Sequence, residues 1–318
     1  MKKPRKLQKR IMLFAAVWMT AVFLLAGCGS GGVSVGTSAQ QSGGNRDARA
    51  QVLVPQSPEE RVIGEDGQTA VIDVSNVSDG YVTVRYTGNN EKVKLKITCE
   101  GQEYTYDLRQ GVADVFPLTC GNGTYQFGVF ENIGGNQYST LLSGSADVEI
   151  RGEFLPYLYP NQYIAFTADS AAVAQGEQLA QGAADDLDVV ARVYDYVVGT
   201  VTYDYDKADT VQTGYLPDVD ETLQTEKGIC FDYAALMTAM LRSQRIPTKL
   251  VIGYVSGGGG QVYHAWISVY IEGQGWVDNI IYFDGTDWVR MDPTMASTGG
   301  GAGKYTGDGN QYNAMYTY

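Results

Sequence analysis

The sequence predicts an α+β protein in two parts: an N-terminal antiparallel β-sandwich, then a mixed domain built around one helix with a cysteine at its start. Three observations predict it. From about Gln68 to Ile150 apolar and polar residues alternate, the period of half-buried strands. From Leu187 the apolar residues recur at helical spacing instead. Finally, Gly228-Ile229-Cys230-Phe231-Asp232 leads into Tyr233, Leu236, Met237, Met240 and Leu241, a helical apolar set with a thiol in its first turn. A chain of 318 residues, 44% hydrophobic and 19% charged, has length for two such cores.

Residues 1–27 read as a leader. Lys2, Lys3, Arg5, Lys6, Lys9 and Arg10 precede an apolar run from Ile11 to Leu25, which is short for a membrane span. The run ends in Leu25-Ala26-Gly27-Cys28, which resembles the bacterial lipoprotein cleavage site. That resemblance implies a lipidated Cys28 as the new N-terminus and attachment to a membrane by two or more acyl chains. An uncleaved anchor or an ordinary secretory signal is the alternative. Residues 28–60 follow as a Gly/Ser-rich tether with little to bury.

The sandwich is expected over residues 61–152. Lys92-Val93-Lys94-Leu95-Lys96-Ile97-Thr98-Cys99 is its clearest strand, and Val82/Val84/Tyr86 and Tyr125/Phe127/Val129 repeat the period. Ser78-Asp79-Gly80, Gly88-Asn89-Asn90, Gly121-Asn122-Gly123 and Gly134-Gly135-Asn136 are turn signals. About seven short strands so punctuated suggest an immunoglobulin-like form. No chemistry is visible there, and the default role is a spacer. Cys99 and Cys120 form a disulfide or remain buried thiols; export favours the former, the apolar face of the Cys99 strand the latter.

The second domain is expected over residues 153–297. Phe154-Leu155-Pro156-Tyr157-Leu158-Tyr159-Pro160 reads as a linker packed on both neighbours. Leu187, Val190, Ala191, Tyr194, Val197 and Val198 mark a helix capped by Asp185 or Asp186, and Tyr203-Asp204-Tyr205 follows it. Asp204, Asp206 and Asp209 lack the glycine and terminal glutamate of a calcium loop and read as a solvated turn. The cysteine helix is expected to stop near Arg245, because Pro247 disfavours helical geometry at Ile246. Ser256-Gly257-Gly258-Gly259-Gly260 reads as a long hairpin loop, with a mobile flap over the cleft as the alternative. In the strand beyond it, alternation puts His264, Trp266, Ser268 and Tyr270 on one face and buries Ala265, Ile267, Val269 and Ile271 on the other. Trp288, Arg290 and Asp292 alternate along a last strand, and residues 298–318 read as a loose Gly/Tyr-rich tail.

These residues carry a chemistry. A thiol at a helix N-terminus meets unpaired N–H groups and the positive end of the dipole, which favour the nucleophilic thiolate. An imidazole can take its proton if a third group holds the ring in the right tautomer. His264 is the only histidine, and Cys230 is the only cysteine of this domain, so base and nucleophile are each unambiguous. Singly, each also suits a core position. The order Cys230, then His264-Ala265-Trp266, then Trp288-Val289-Arg290-Met291-Asp292-Pro293-Thr294 resembles the transglutaminase-like superfamily, relatives of papain-like cysteine enzymes. The resemblance covers roughly residues 165 to 297 and includes Arg245 to Tyr254, the family's usual segment after the cysteine helix. It implies a papain/transglutaminase-like fold and a triad of Cys230, His264 and Asp292. A hairpin-like insertion, Gly275 to Gly285, lengthens the interval before the acid and brings Asp278, Asp284 and Asp287 nearby; the Pro-Thr context favours Asp292. The Cys230 N–H is a candidate oxyanion donor. Tyr203 and Tyr205, by their place before the cysteine helix, are candidates to support the oxyanion, with core packing as the alternative. Trp266, on the face of His264, is a substrate-side candidate.

The expected function is acyl transfer from protein or peptide amides through a thioester, resolved by water or by an amine, with hydrolysis favoured. The rivals are a catalytically silent binding or scaffold lipoprotein and, further off, a substrate-binding lipoprotein for uptake. The formal charge is −13, and −19 without the six basic residues of the leader, which disfavours nucleic acid. One histidine and one cysteine in the domain are too few for zinc, and no cofactor is expected. The implied partners are a protein or peptide at the cell envelope and, through Cys28, the bacterial membrane.

Overall fold

The computed structural model describes residues 46–65, 67–257, 260–278, 282–283, 288–289 and 312–318. The leader, Cys28, Asp284, Asp287, Asp292 and residues 298–311 lie outside the described residues.

The alternating stretch forms two four-stranded antiparallel sheets. One has the order β1-β2-β3-β6 and contains β1 (Val62–Ile63), β2 (Ala70–Asp73), β3 (Tyr81–Tyr86) and β6 (Ala113–Pro117). The other has the order β5-β4-β7-β8 and contains β4 (Val93–Cys99), β5 (Gln102–Asp107), β7 (Gly123–Gly134) and β8 (Gln137–Val148). Val93, Leu95, Ile97 and Cys99 of β4 are buried while the lysines between them are not, as a period of two requires. They share a core with Ile72, Val82, Val84 and Phe116 of the other sheet. Cys99 and Cys120 are joined by a disulfide.

That core continues into the second part. The linker holds the two together: Gln162 N–H donates to the Val115 carbonyl at 3.0 Å, and the Gln162 side chain donates to the Asp107 carbonyl at 2.8 Å. Pro156 sits on Gly80, where a Cβ would come within 2.5 Å of the ring. Four helices then precede the thiol-bearing one. They are α1 (Ala171–Ala180), α2 (Asp186–Thr200), α3 (Tyr205–Thr210) and α4 (Val219–Thr225), with the short parallel pair β9 (Thr202–Tyr203) and β10 (Lys227–Gly228) around them.

α5 (Cys230–Ser243) is the centre of this part. Nearly all of it is buried, including Tyr233, Ala234, Leu236, Met237, Met240 and Leu241, the signature of a helix covered on every side. α1, α2 and α4 flank it, and Gly176 lets α1 approach, since a Cβ there would lie 3.1 Å from the Met240 carbonyl. Behind it stands an antiparallel sheet of order β13-β12-β11-β16, made of β11 (Thr248–Gly257), β12 (Gly260–Ile271), β13 (Gly275–Val277) and β16 (Tyr312–Thr317). β14 (Tyr282–Phe283) and β15 (Trp288–Val289) pair with each other. The β11–β12 register runs to Gly257 opposite Gly260, and Gly258 and Gly259 lie outside the described residues. No helix of the described residues is long and apolar enough to cross a membrane.

Two expectations are corrected. Residues 46–57, assigned to the tether, are bound to the body: Arg46 reaches Asp186 and the Gln244 carbonyl, Gln51 N–H donates to the Ser243 carbonyl, and Gln56 N–H to the Tyr81 hydroxyl. Their partners are distant in sequence, so local composition gave no sign of them. The end of the supposed loose tail is β16, paired with β11, and Tyr318 is buried with both its backbone groups bonded to Leu250. Tyrosines in this tail fill a core, packing on Tyr104, Tyr106 and Tyr163. Arg242, itself buried, donates to the carbonyls of Tyr159, Thr248 and Tyr318 and so ties linker, α5 and β16 together. Burial pushes it down to about 9, so it remains a cation at neutral pH.

Candidate active site

The approach to Cys230 is set by its neighbours. Glu226 takes a left-handed turn at the end of α4, and β10 then pairs with β9, with Gly228 opposite Tyr203. Gly228 is needed here, because a Cβ would fall 2.6 Å from the Asp232 Cβ. Ile229 is the N-cap and offers no side-chain hydrogen bond to the first turn. Cys230 is therefore the first residue of a helix whose positive end has no side-chain acceptor at its cap, and its thiol is free and half-buried. Asp232, with 0% exposure, turns back instead, accepting from Ile229 N–H at 2.8 Å.

β12 packs on α5 and carries His264, which is 8% exposed and lies opposite Gly253 of β11. Ala265, Ile267 and Val269 join the core around α5. Trp266 lies on the other side of the sheet with Val251, Val255 and Tyr312. Both faces of β12 are thus covered, whereas the alternation predicted one buried face. Trp266 itself is 2% exposed and packs edge-on to Tyr312 at 5.2 Å, which makes it a packing residue beneath the sheet and corrects its assignment to the substrate side. Asp278, one of the alternative acids, is exposed and acts electrostatically on Lys249.

Next to His264 in β12 stands Tyr263, 57% exposed, its ring 5.4 Å from that of Tyr254. Burial first, then electrostatic interaction with Tyr316, Tyr254 and Cys230, pushes its hydroxyl up. Sequence reasoning missed it, although it adjoins His264. Tyr203 is half-buried beside Gly228, and its ring meets Tyr205 at 4.9 Å; Tyr205 opens α3 at 63% exposure. Phe231, next to Cys230, packs on Tyr163 and Tyr215. Aromatic side chains therefore surround the start of α5. Among the described residues no group of three His, Cys, Asp or Glu side chains is placed to hold a metal ion.

Residues 173–279 match the Transglutaminase-like superfamily model, a span that includes Cys230 and His264 and stops short of Asp292. The chain is similar to the uncharacterized protein YebA of Bacillus subtilis (strain 168), 33% identical over 107 residues, a match that spans 29% of this chain and 14% of that one. Solved structures similar to it include a putative cysteine protease from Cytophaga hutchinsonii, at TM-score 0.37 and 14% identity over 75% of this chain and 79% of the other. The periplasmic domain of TgpA from Pseudomonas aeruginosa is similar at TM-score 0.32 and 17% identity, over 77% and 76%.

Proposed function

We propose that the transglutaminase-like domain of residues 173–279 belongs to an extracytoplasmic cysteine enzyme, held to a bacterial membrane through Cys28, that transfers acyl groups from protein or peptide amides. One observation carries the reading: the free thiol of Cys230 opens a buried helix whose cap has no side-chain acceptor, and that helix packs on the strand bearing the only histidine. Cys230 Sγ bonds to the amide carbon, and its proton passes to His264. Asp292 accepts the other imidazole N–H and holds the tautomer. The oxyanion is received by N–H groups of the first turn, where fixed donors in a partly dry site are most effective. The amine leaves with the proton from His264, and a thioester remains. Water resolves it to an acid, or a second amine to a new amide. An exported location is supported by the basic and apolar leader before Cys28 and by the Cys99–Cys120 disulfide, a bond that persists in oxidising compartments.

Intact mass spectrometry tests this. A protein rich in glutamine and lysine is incubated with the full chain in detergent micelles, with and without a small primary amine. Amine adducts or dimers mean transamidation. A gain of about one mass unit per glutamine means deamidation, and fragments mean peptide hydrolysis, each following from which nucleophile resolves the thioester. All are expected to vanish in Cys230→Ala. No product of any kind, with a Cys230 that alkylates no faster than an ordinary thiol, overturns the proposal in favour of a binding module.

A further inference from the structure

The carboxylate closest in sequence to the thiol has an unusual set of partners. Asp232 lies two residues after Cys230 and is fully buried. Its Oδ2 accepts from Ile229 N–H at 2.8 Å and lies 2.9 Å from Lys207 Nζ. Its Oδ1 accepts from the Tyr215 hydroxyl at 2.5 Å. The Lys207 ammonium also stands over the Tyr215 ring, 4.5 Å from its centre. Three separate pieces of chain, α3, the segment before α4 and the turn into α5, thus converge on one side chain beside the nucleophile.

A buried carboxylate near a thiol works against the thiolate, since like charges oppose each other most where water is excluded. A paired ammonium removes that opposition. We propose that Asp232, held by Lys207 and Tyr215, is the positioning residue for Cys230: it fixes the peptide on which α5 begins, and Lys207 lets it do so without opposing the thiolate. This rests on the reading of Cys230 as nucleophile. The geometry favours positioning over simple helix capping for two reasons. A cap at the start of α5 needs only an exposed acceptor, as Asp218 provides for α4, not a buried carboxylate with an ammonium and a phenol on it. And Gly228 leaves out the Cβ that would collide with Asp232.

Among the described residues, the charged and titratable groups facing this region are few. Lys207 and the Asp204 cap come from α3, and Tyr215 comes from the segment before α4, where Asp218 and Glu221 act on its hydroxyl. Tyr263 comes from β12, which also carries His264. Among them Lys207 is the group that directly offsets the Asp232 charge.

The test follows alkylation of Cys230 by iodoacetamide against pH in the full chain, read at the Cys230 peptide by mass spectrometry, with melting temperature alongside. Lys207→Met leaves the carboxylate unbalanced, and its alkylation midpoint is expected to rise by about one pH unit, a tenfold loss of thiolate below it. Lys207→Arg restores the midpoint. Asp232→Asn keeps the midpoint at or below that of the parent, yet acyl transfer falls because one amide oxygen replaces the two carboxylate oxygens that hold the Ile229 N–H and the Tyr215 hydroxyl. A folded Lys207→Met with the parent midpoint overturns the proposal. Should that variant not fold, Tyr215→Phe removes one hydroxyl from Asp232 and is expected to raise the midpoint in the same direction; an unmoved midpoint there overturns it equally. A parent Cys230 that titrates as an ordinary thiol would sink the proposed function itself, whereas a low parent midpoint that no variant moves sinks only this inference.

Discussion

Helices α2, α3 and α4 begin on Asp185, Asp204 and Asp218, and each carboxylate accepts a first-turn N–H. α1 begins on Ser170 and takes its acceptor from α4, where Asp220 receives Ala172 N–H at 2.9 Å. α5 begins on Ile229, which has nothing to accept with. Four helices thus close their positive ends with carboxylates, and the fifth, the most buried, leaves its end open beside a thiol. A missing cap costs about 1 kcal/mol. The nearest carboxylate, Asp232, is turned back onto the N-cap peptide and paired with Lys207. The same chemical device serves stability at four helix starts and is withheld at the one that carries the proposed nucleophile.

The largest effects come from breaking that contrast at its centre. Cys230→Ala is expected to remove all acyl transfer and leave the melting temperature nearly unchanged, because the residue is half-buried and the substitution deletes one atom. Ile229→Asp gives α5 the cap its neighbours have. The new carboxylate takes first-turn N–H groups and adds a negative charge next to Cys230. Alkylation of Cys230 at neutral pH is expected to slow about tenfold, a shift of roughly one pKa unit. An unchanged rate would mean that the open cap has no part in activating the thiol. Asp185→Ala works in the opposite sense: loss of about 1 kcal/mol in urea unfolding, with Cys230 alkylation as in the parent.

How far the chain could be read from its letters follows from where each signal sits. The strands around Lys92 to Cys99, the helix after Asp185 and the helix after Cys230 carry their own periodicity. α1 does not: Ala171-Ala172-Val173-Ala174-Gln175-Gly176-Glu177-Gln178 has too little contrast between faces, and its glycine, which reads as a breaker, is there for contact with α5. β16 was invisible because its Gly/Tyr/Asn surroundings resemble a loose tail and its partner β11 lies far back in the chain. The glycine at that junction is informative only in the fold, since a Cβ on Gly253 would lie 2.1 Å from the Asn313 carbonyl oxygen. At the site, Cys230 and His264 were legible as motifs, and Asp232 as an acidic first-turn residue. Its partners Lys207 and Tyr215 sit well upstream with nothing local to mark them. Tyr263 was passed over because alternation attached meaning only to the residues sharing the face of His264.

The sandwich offers a last, smaller test of the same contrast, one of slope rather than level. Asp73 is buried in β2 and uses its carboxylate as the helix caps do, accepting Ser75 N–H and Glu59 N–H at 2.9 Å each. Burial raises this carboxyl, but hydrogen bonds from Ser75, Glu59 and Ser57 outweigh it and hold the group below its ordinary 3.8. A carboxyl whose folded pKa is depressed contributes stability that is present above its unfolded pKa and lost as pH falls through the folded one. Asp73 should therefore steepen the loss of stability from about pH 4 downward, where the unfolded chain binds the proton first. Urea unfolding across that range is expected to show a shallower pH dependence in Asp73→Asn than in the parent. The Cys230 alkylation profile should be the same in both, because α5 takes no acceptor from this sheet. An equal slope in parent and variant would mean that the hydrogen bonds only balance the cost of burying the charge, and that a carboxylate closing backbone N–H groups here is neutral to stability.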